Sequence, residues 1–418
     1  MLSRQRHLRV VTITALLSVN LPGPRASTQQ TDPDPWAEFG VSVAATTETI
    51  FVVASPIRNG ERGPGAVHIF RHRDSGWGQV DVLAAPEATA KDTFGISMAA
   101  DDHTLVVGAQ FADARGDDSG LAYVFERRNE RWQQAAVLSA DDGGAGDEFG
   151  NTVSLSGETI VVGARLADIP ARDAGAAYIF ARQNGNWKQI RKLKASDPAL
   201  SDLFGRVSID NDAMIVSADL NDDLGEQAGK AYAFQNRAGT WVEIAKLMAS
   251  DGTAGDEFGL SLALKGDTAV FGASGSDALA DGSGAAYVFA RRNDKWTQTA
   301  RLTANDGTRG QIFGWSVAVG DDLIVVGAPN DRSAGEGAGA VYVFERKGSG
   351  WTQAGKLIAS DAAPFTGFGS TVAIGGHRIV VGMLLDGKRR HSGAAYVFER
   401  NENGWAPVAR LVPEPTTP

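Results

Sequence analysis

SDGTAGDEFGLSLALKGDTAVFGASGSDALADGSGAAYVFARRNDKWTQTARLTA occupies residues 250–304. Its Phe258-Gly259 returns as Phe-Gly at 39–40, 94–95, 149–150, 204–205, 313–314 and 368–369, each copy 54 or 55 residues from the last. Its Trp296 returns with the same spacing at Trp77, Trp132, Trp187, Trp241, Trp351 and Trp405. A fixed period of this length marks a repeat architecture. Seven copies of one unit fill residues 36–412.

Within the quoted unit four apolar segments follow one another: FGLSLAL (258–264), TAVFGA (268–273), AAYVFARR (285–292) and WTQTARLTA (296–304). They alternate with the two-residue period of strands and are parted by turn residues such as Lys265-Gly266-Asp267 and Asn293-Asp294. No unit carries a helical period. Four antiparallel strands repeated seven times predict an all-β fold, a seven-bladed β-propeller. The aromatic residues agree. All six Tyr hold one repeat position (Tyr123, Tyr178, Tyr232, Tyr287, Tyr342, Tyr396), with His68 in the first unit, and Phe follows two residues later every time. Residues repeated in this way are expected between blades.

Bulk composition adds limits. The chain has 418 residues, 50 Gly and a formal charge of −10. An acidic balance speaks against a nucleic-acid partner, which needs a basic face. There is no Cys, hence no disulfide and no thiolate metal site. Arg4, Arg6 and Arg9 precede an apolar run from Val10 to Leu21, so residues 1–27 read as a secretory signal peptide and the rest as secreted, periplasmic or cell-surface. No other stretch is long and apolar enough to be a transmembrane segment. Residues 28–35 form a linker, residues 413–418 a tail, and the molecule is expected to be monomeric.

Phe-Gly followed some fifteen residues later by Gly-Ala-Pro, literal at Gly327-Ala328-Pro329 and kept as Gly-Ala at 108–109, 163–164 and 272–273, resembles the FG-GAP repeat of integrin α subunits and bacterial relatives. The resemblance covers nearly the whole repeat region. It implies a seven-bladed propeller used for adhesion or recognition. In integrins it also implies calcium, bound in first hairpins by Asp-x-Asp-x-Asp-Gly-x-x-Asp. This sequence departs there: its first hairpins are short turns such as Asp101-Asp102-His103 and Gly320-Asp321-Asp322. Calcium takes six to eight oxygens, so those sites are not carried over.

Acids recur elsewhere. Seven residues before each Phe stands Asp32, Glu87, Asp142, Asp197, Asp251, Asp306 or Asp361. Two residues before it, Asp92, Asp147, Asp202 and Asp256 occur in four copies, and Ala37, Gln311 and Thr366 in the others. A metal loop needs both acids together, whereas a turn needs only the one that bonds its backbone. The pattern favours the turn. The pairs Asp142/Asp147, Asp197/Asp202 and Asp251/Asp256 are the calcium candidates under the other reading.

Strand alternation sends the connection between blades and the turn between second and third strands to one face. The loops there, including 110–120, 165–175, 219–229, 274–284 and 329–339, differ between copies while the strands do not. Variable loops on a rigid scaffold are where recognition is expected. Their Asp113, Asp117, Asp168, Asp222, Asp223, Asp277 and Asp331 are the candidate ligand-binding residues, for a protein or glycan partner. Arg115-Gly116-Asp117 reads as a chance tripeptide. Arginines at 127–128, 291–292 and 346, with Arg400, predict a basic opposite face. No G-x-S-x-G elbow, H-E-x-x-H or P-loop occurs, so no cofactor or catalytic residue is assigned. The expected function is non-enzymatic recognition or cell adhesion. A propeller glycosidase or lyase and a calcium-dependent adhesion module are the alternatives.

Overall fold

The turn residues between apolar runs adopt the backbone their chemistry allows. Asn293 and Asp294 take φ of 48° and 61°, the left-handed pair that closes a two-residue hairpin. Strands Ser261–Lys265, Thr268–Ala273, Ala285–Arg292 and Lys295–Leu302 then pair antiparallel in chain order to give blade five. The computed structural model describes residues 38–54, 57–58, 61–62, 64–385 and 393–414. The signal peptide expected at 1–27, the linker at 28–35, Asp32 and residues 415–418 lie outside them.

Seven such four-stranded sheets follow along the chain, at residues 43–83, 98–138, 149–193, 206–247, 261–302, 316–357 and 368–411. The first strand of each blade touches that of the next, and blade seven's touches blade one's, so the ring is closed. No strand is borrowed across the closure: blade seven comes wholly from the C-terminal stretch and blade one from the N-terminal one. Between third and fourth strands the register slips in all seven blades, as at Val288/Phe289. A bulge there increases local twist.

The core lies between blades, in seven equivalent layers. Second strands are buried on both faces, which explains their continuous apolar runs. Ile160 and Val162 of blade three pack with Val124 of blade two, while Val161 between them packs with Phe204 of blade four. The Phe of each Phe-Gly lies edge-on to the repeat Tyr, or in blade one to His68, and to the Phe beyond it. In blade five the ring centres are 5.7 and 6.0 Å apart. The repeat Trp is less uniform than its spacing suggests. Trp132, Trp241 and Trp296 are buried, but Trp77, Trp187, Trp351 and Trp405 are only partly so. An arginine lies over three of these four, closest for Arg346 at 4.3 Å from the Trp351 ring.

The two glycines of the motif meet at five of the seven blade boundaries. A Cβ on Gly272 would sit 1.9 Å from the carbonyl oxygen of Gly314 in the next blade. That same oxygen accepts a hydrogen bond from Ser261 Oγ at 2.8 Å. Ser97, Thr152, Ser316 and Thr371 make the same bond, to the carbonyls of Gly150, Gly205, Gly369 and Gly40. The Thr371 bond spans the ring closure. These blades are latched to their neighbours by one hydroxyl each, at a contact too close for a larger side chain; between blades one and two Val53 stands in place of the glycine and packs on Gly95. Blade four inverts the arrangement. Val207 replaces the hydroxyl residue, Ser217 replaces the glycine, and Ser217 Oγ bonds the Gly259 carbonyl at 2.6 Å.

Candidate functional site

The connections between blades carry both rows of acids, and the two rows have different partners. The acid two before Phe closes its own turn. Asp147, Asp202 and Asp256 accept the backbone N–H groups of Gly144, Ala199 and Thr253 at 2.8–2.9 Å. Asp92 takes that of Thr89, and Gln311 Oε1 that of Thr308. Burial pushes the carboxyls of Asp147, Asp202 and Asp256 up.

In blades three to seven the acid seven before Phe meets a cation from the fourth strand of the blade it leads into. Asp142 pairs with Lys192 at 2.8 Å, Asp251 with Arg301 at 2.8 Å, Asp306 with Lys356 at 2.6 Å and Asp361 with Arg410 at 3.1 Å. Asp197 binds both Lys230 and Lys246. The repeat Tyr hydroxyl completes the group, donating to Asp197 and Asp306 at 2.8 and 2.7 Å. Burial would raise Asp197, but hydrogen bonds from Lys230, Lys246 and Tyr232 outweigh it and hold its pKa at about 2. Within each calcium candidate pair, then, one carboxylate faces the chain's own lysine or arginine and the other faces backbone N–H groups.

The candidate ligand residues are distributed around the ring. Asp113, Asp168, Asp222 and Asp277 hold one position in four blades. Each accepts the backbone N–H five residues ahead, at 2.7–2.8 Å, and so staples its own loop. Asp223 pairs with Lys230, a lysine only 1% exposed. Asp331 is buried among Tyr342, Lys356, Gln311 and Ser333. Burial would raise its carboxyl, but Ser333, Lys356 and Tyr342 hold it at about 2. Asp117 alone projects without such a role. Its neighbour Arg115 is turned onto the adjoining connection, donating to the Asp141 carbonyl at 2.9 Å.

The opposite face is not basic as expected. Its arginines stand beside acids of the same or a neighbouring blade. Arg291 binds Asp267 and Asp212, Arg346 binds Asp322, Arg400 binds Glu345, and Arg127 binds Glu130. First-hairpin acids neutralise Arg291 and Arg346, and acids of the third strands and turns neutralise Arg127 and Arg400, so this face carries a belt of ion pairs. The two kinds of turn are well separated along the chain, and only the fold interleaves them.

Near the axis, on the loop face, lies a charged group that repeat reasoning passed over. Three positions per unit converge there: the residues on either side of Phe-Gly and the one after Gly-Ala. In blades one, six and seven the described ones are mostly apolar or small, such as Val41, Ile312, Trp315, Pro329, Ser370 and Leu384. In blades three to five they include Glu148, Asn151, Arg165, Arg206, Asp219 and Glu257. Arg206 Nε bonds Asp219 Oδ1 at 3.2 Å. Arg165, Glu148 and Glu257 lie close enough to act on one another's charge. Burial pushes both glutamates up. The departure of these three columns from the repeat was the signal available in the sequence. No group of three or more acids or histidines suited to a metal ion occurs among the described residues.

A family model described as FG-GAP repeat matches the chain six times, at residues 77–125, 132–180, 187–234, 241–289, 296–344 and 351–398. Each match begins at the repeat Trp of one blade and ends in the third strand of the next. The family unit is thus one strand out of phase with the blade. A seventh unit would be split between residues 405–411 and the strands of blade one, which accounts for six matches on seven blades. No curated protein matches the chain.

Proposed function

The chain belongs to the FG-GAP repeat family, and from that membership we infer that it is a non-enzymatic recognition scaffold, exported and monomeric, binding a protein or glycan through the loop face. One observation carries this reading. Leu200, Leu224, Leu279 and Phe365 are the exposed large apolar side chains of the described loops, at up to 63% exposure, and all four are on that face. The remaining ones sit on fourth strands or, for Val412, just after the last of them. Exposed apolar groups rimmed by polar residues mark interaction surfaces. Asp117, Asp281 and Glu336 stand exposed among them. The signal-like residues 1–27 support export.

The acids of the connections are read as structural. Their oxygens are occupied by backbone N–H groups, lysines and arginines, which leaves calcium a poor set of ligands.

Glycan and extracellular-protein arrays test the reading. Asp117→Asn with Asp281→Asn and Glu336→Gln should weaken any binding about tenfold or more. Asp294→Asn with Asp321→Asn, on the opposite face, should leave it unchanged. The reverse pattern would move recognition to the ion-pair belt, and turnover in a glycosidase or lyase screen would overturn the non-enzymatic reading. Calcium titration of chelator-treated protein should give no heat and no change in melting temperature. Tight binding abolished by Asp251→Ala with Asp256→Ala would instead establish calcium-dependent adhesion.

A further inference from the structure

The charged group near the axis is built unlike every other ionic site in the molecule. Elsewhere a buried cation such as Lys230 sits within about 3 Å of an acid, and the described cations without one are exposed or half-buried. Arg165 is 6% exposed, yet no described carboxylate comes within the 4.0 Å of an ion pair, and its side chain makes no hydrogen bond to a described residue. Its Nε is buried without a partner, and so is Oδ2 of Asp219, a residue 1% exposed. A second guanidinium, that of Arg206, is close enough for its charge to act on Arg165. Two like charges held together in a buried place are costly unless something neutralises them. Asp219 answers one of them through a single 3.2 Å contact. Glu148 and Glu257 flank the pair without touching it.

Nothing in the scaffold demands this arrangement. The other blades build the same turns with Gln110, Ser274, Pro329 or Leu384 in place of Arg165, and with Val41, Ile96 or Trp315 in place of Arg206. Burial and the neighbouring Arg206 charge both disfavour the Arg165 cation, so the residue is retained against its own solvation.

The geometry points to a binding site for a sugar carboxylate, a uronic acid unit, with its carboxylate on the guanidinium groups of Arg165 and Arg206 and its hydroxyls on Glu148, Glu257 and Asn151. Paired guanidiniums match a planar carboxylate in shape and charge. Three acids close by make a dianionic phosphate or sulfate a worse fit than a single negative charge. An α-amino acid would bring an ammonium that needs an ionised carboxylate beside it, whereas burial disfavours charge on Glu148 and Glu257, and neutral sugar hydroxyls can donate to these glutamates. This deepens the glycan branch of the reading above and shares with it only the face.

The test is calorimetric titration of the full chain with D-glucuronate, D-galacturonate, D-glucose and L-glutamate, with melting temperature followed alongside. One or both uronates should bind, glucose at least tenfold more weakly, and glutamate not detectably. Arg165→Met should abolish uronate binding while melting no lower than the parent. Arg206→Gln, at a more exposed position, should weaken binding at least tenfold. Binding of glutamate alone, or of no carboxylate, overturns the inference. So does a large fall in melting temperature for Arg165→Met, because the arginine would then be a structural group. Uronate binding that survives neutralisation of Asp117, Asp281 and Glu336, with no other partner found, would keep this site and sink the broader recognition reading. A partner lost with those acids but no uronate bound would do the opposite.

Discussion

Blades four and five share a strand plan and differ in what they do with it. Blade five keeps the repeat: Ser261 latches to Gly314, Gly272 leaves room, and Asp251 meets Arg301. Blade four makes the same latch from the other side, with Val207 and Ser217 exchanged for Ser and Gly. The same exchange appears a layer out. Asp202 accepts from the Asn221 amide in blade four, while in blade six the Gln311 amide donates to Asp331. A boundary between blades thus constrains the bond and leaves open which residue supplies it. The axial columns follow no such rule. Arg206 and Asp219 in blade four, like Arg165 before them, replace neutral residues with charges that no partner position balances in full.

This contrast can be attacked from the strongest term downward. Phe313→Ala, in a boundary that keeps the repeat, removes a ring packed against Tyr342 and Phe344 and should cost about 3–5 kcal/mol in denaturant unfolding. Equal loss from truncating Trp315, one position past the same Phe-Gly, would erase the distinction between boundary and axis. Gly272→Ser should cost roughly 2–3 kcal/mol, since its Cβ meets the Gly314 carbonyl and Ser261 Oγ. Adding Ser261→Val recreates blade four's pattern, and the double variant should be less destabilised than the two singles summed. Strict additivity would show the inversion to be accidental.

Asp331 tests the ionic layer. Its carboxyl is held at about 2 against an ordinary 3.8. A lowered folded value stabilises fully above about pH 4 and is lost as pH falls toward 2. The parent's stability should therefore drop between pH 4 and pH 2 by on the order of 2 kcal/mol more than that of Asp331→Asn. Parallel curves would mean the buried carboxylate is not stabilised by its partners. The smallest effect is expected at Arg165, where Met should change stability by less than about 0.5 kcal/mol or raise it, because a buried unpaired charge is removed.

The strands, their number and the pairing of Phe with Tyr were legible because every copy votes on the same position. A turn role for the acids of the connections was legible too, but not that it falls to Asp147 and its equivalents rather than to the acid present in every copy. The cations facing Asp142, Asp197, Asp251, Asp306 and Asp361 form a column of their own on the fourth strand. Nothing local joins the two columns, which lie about fifty residues apart and meet only when the blade closes. The neutralised opposite face was missed for the same reason. The axial site is not legible in the repeat, since its residues are the ones at which the copies disagree.

Ring closure without a shared strand has a mechanical consequence. Blades one and seven are joined by Thr371 Oγ1 on the Gly40 carbonyl, Arg378 on the Thr47 carbonyl and the apolar layer around Phe39, Phe70 and Leu411. Every other boundary has such an apolar layer and a peptide connection besides. Tension applied between the two ends loads this one joint in full, and the ring should spring open there like a split washer, with all seven blades still folded.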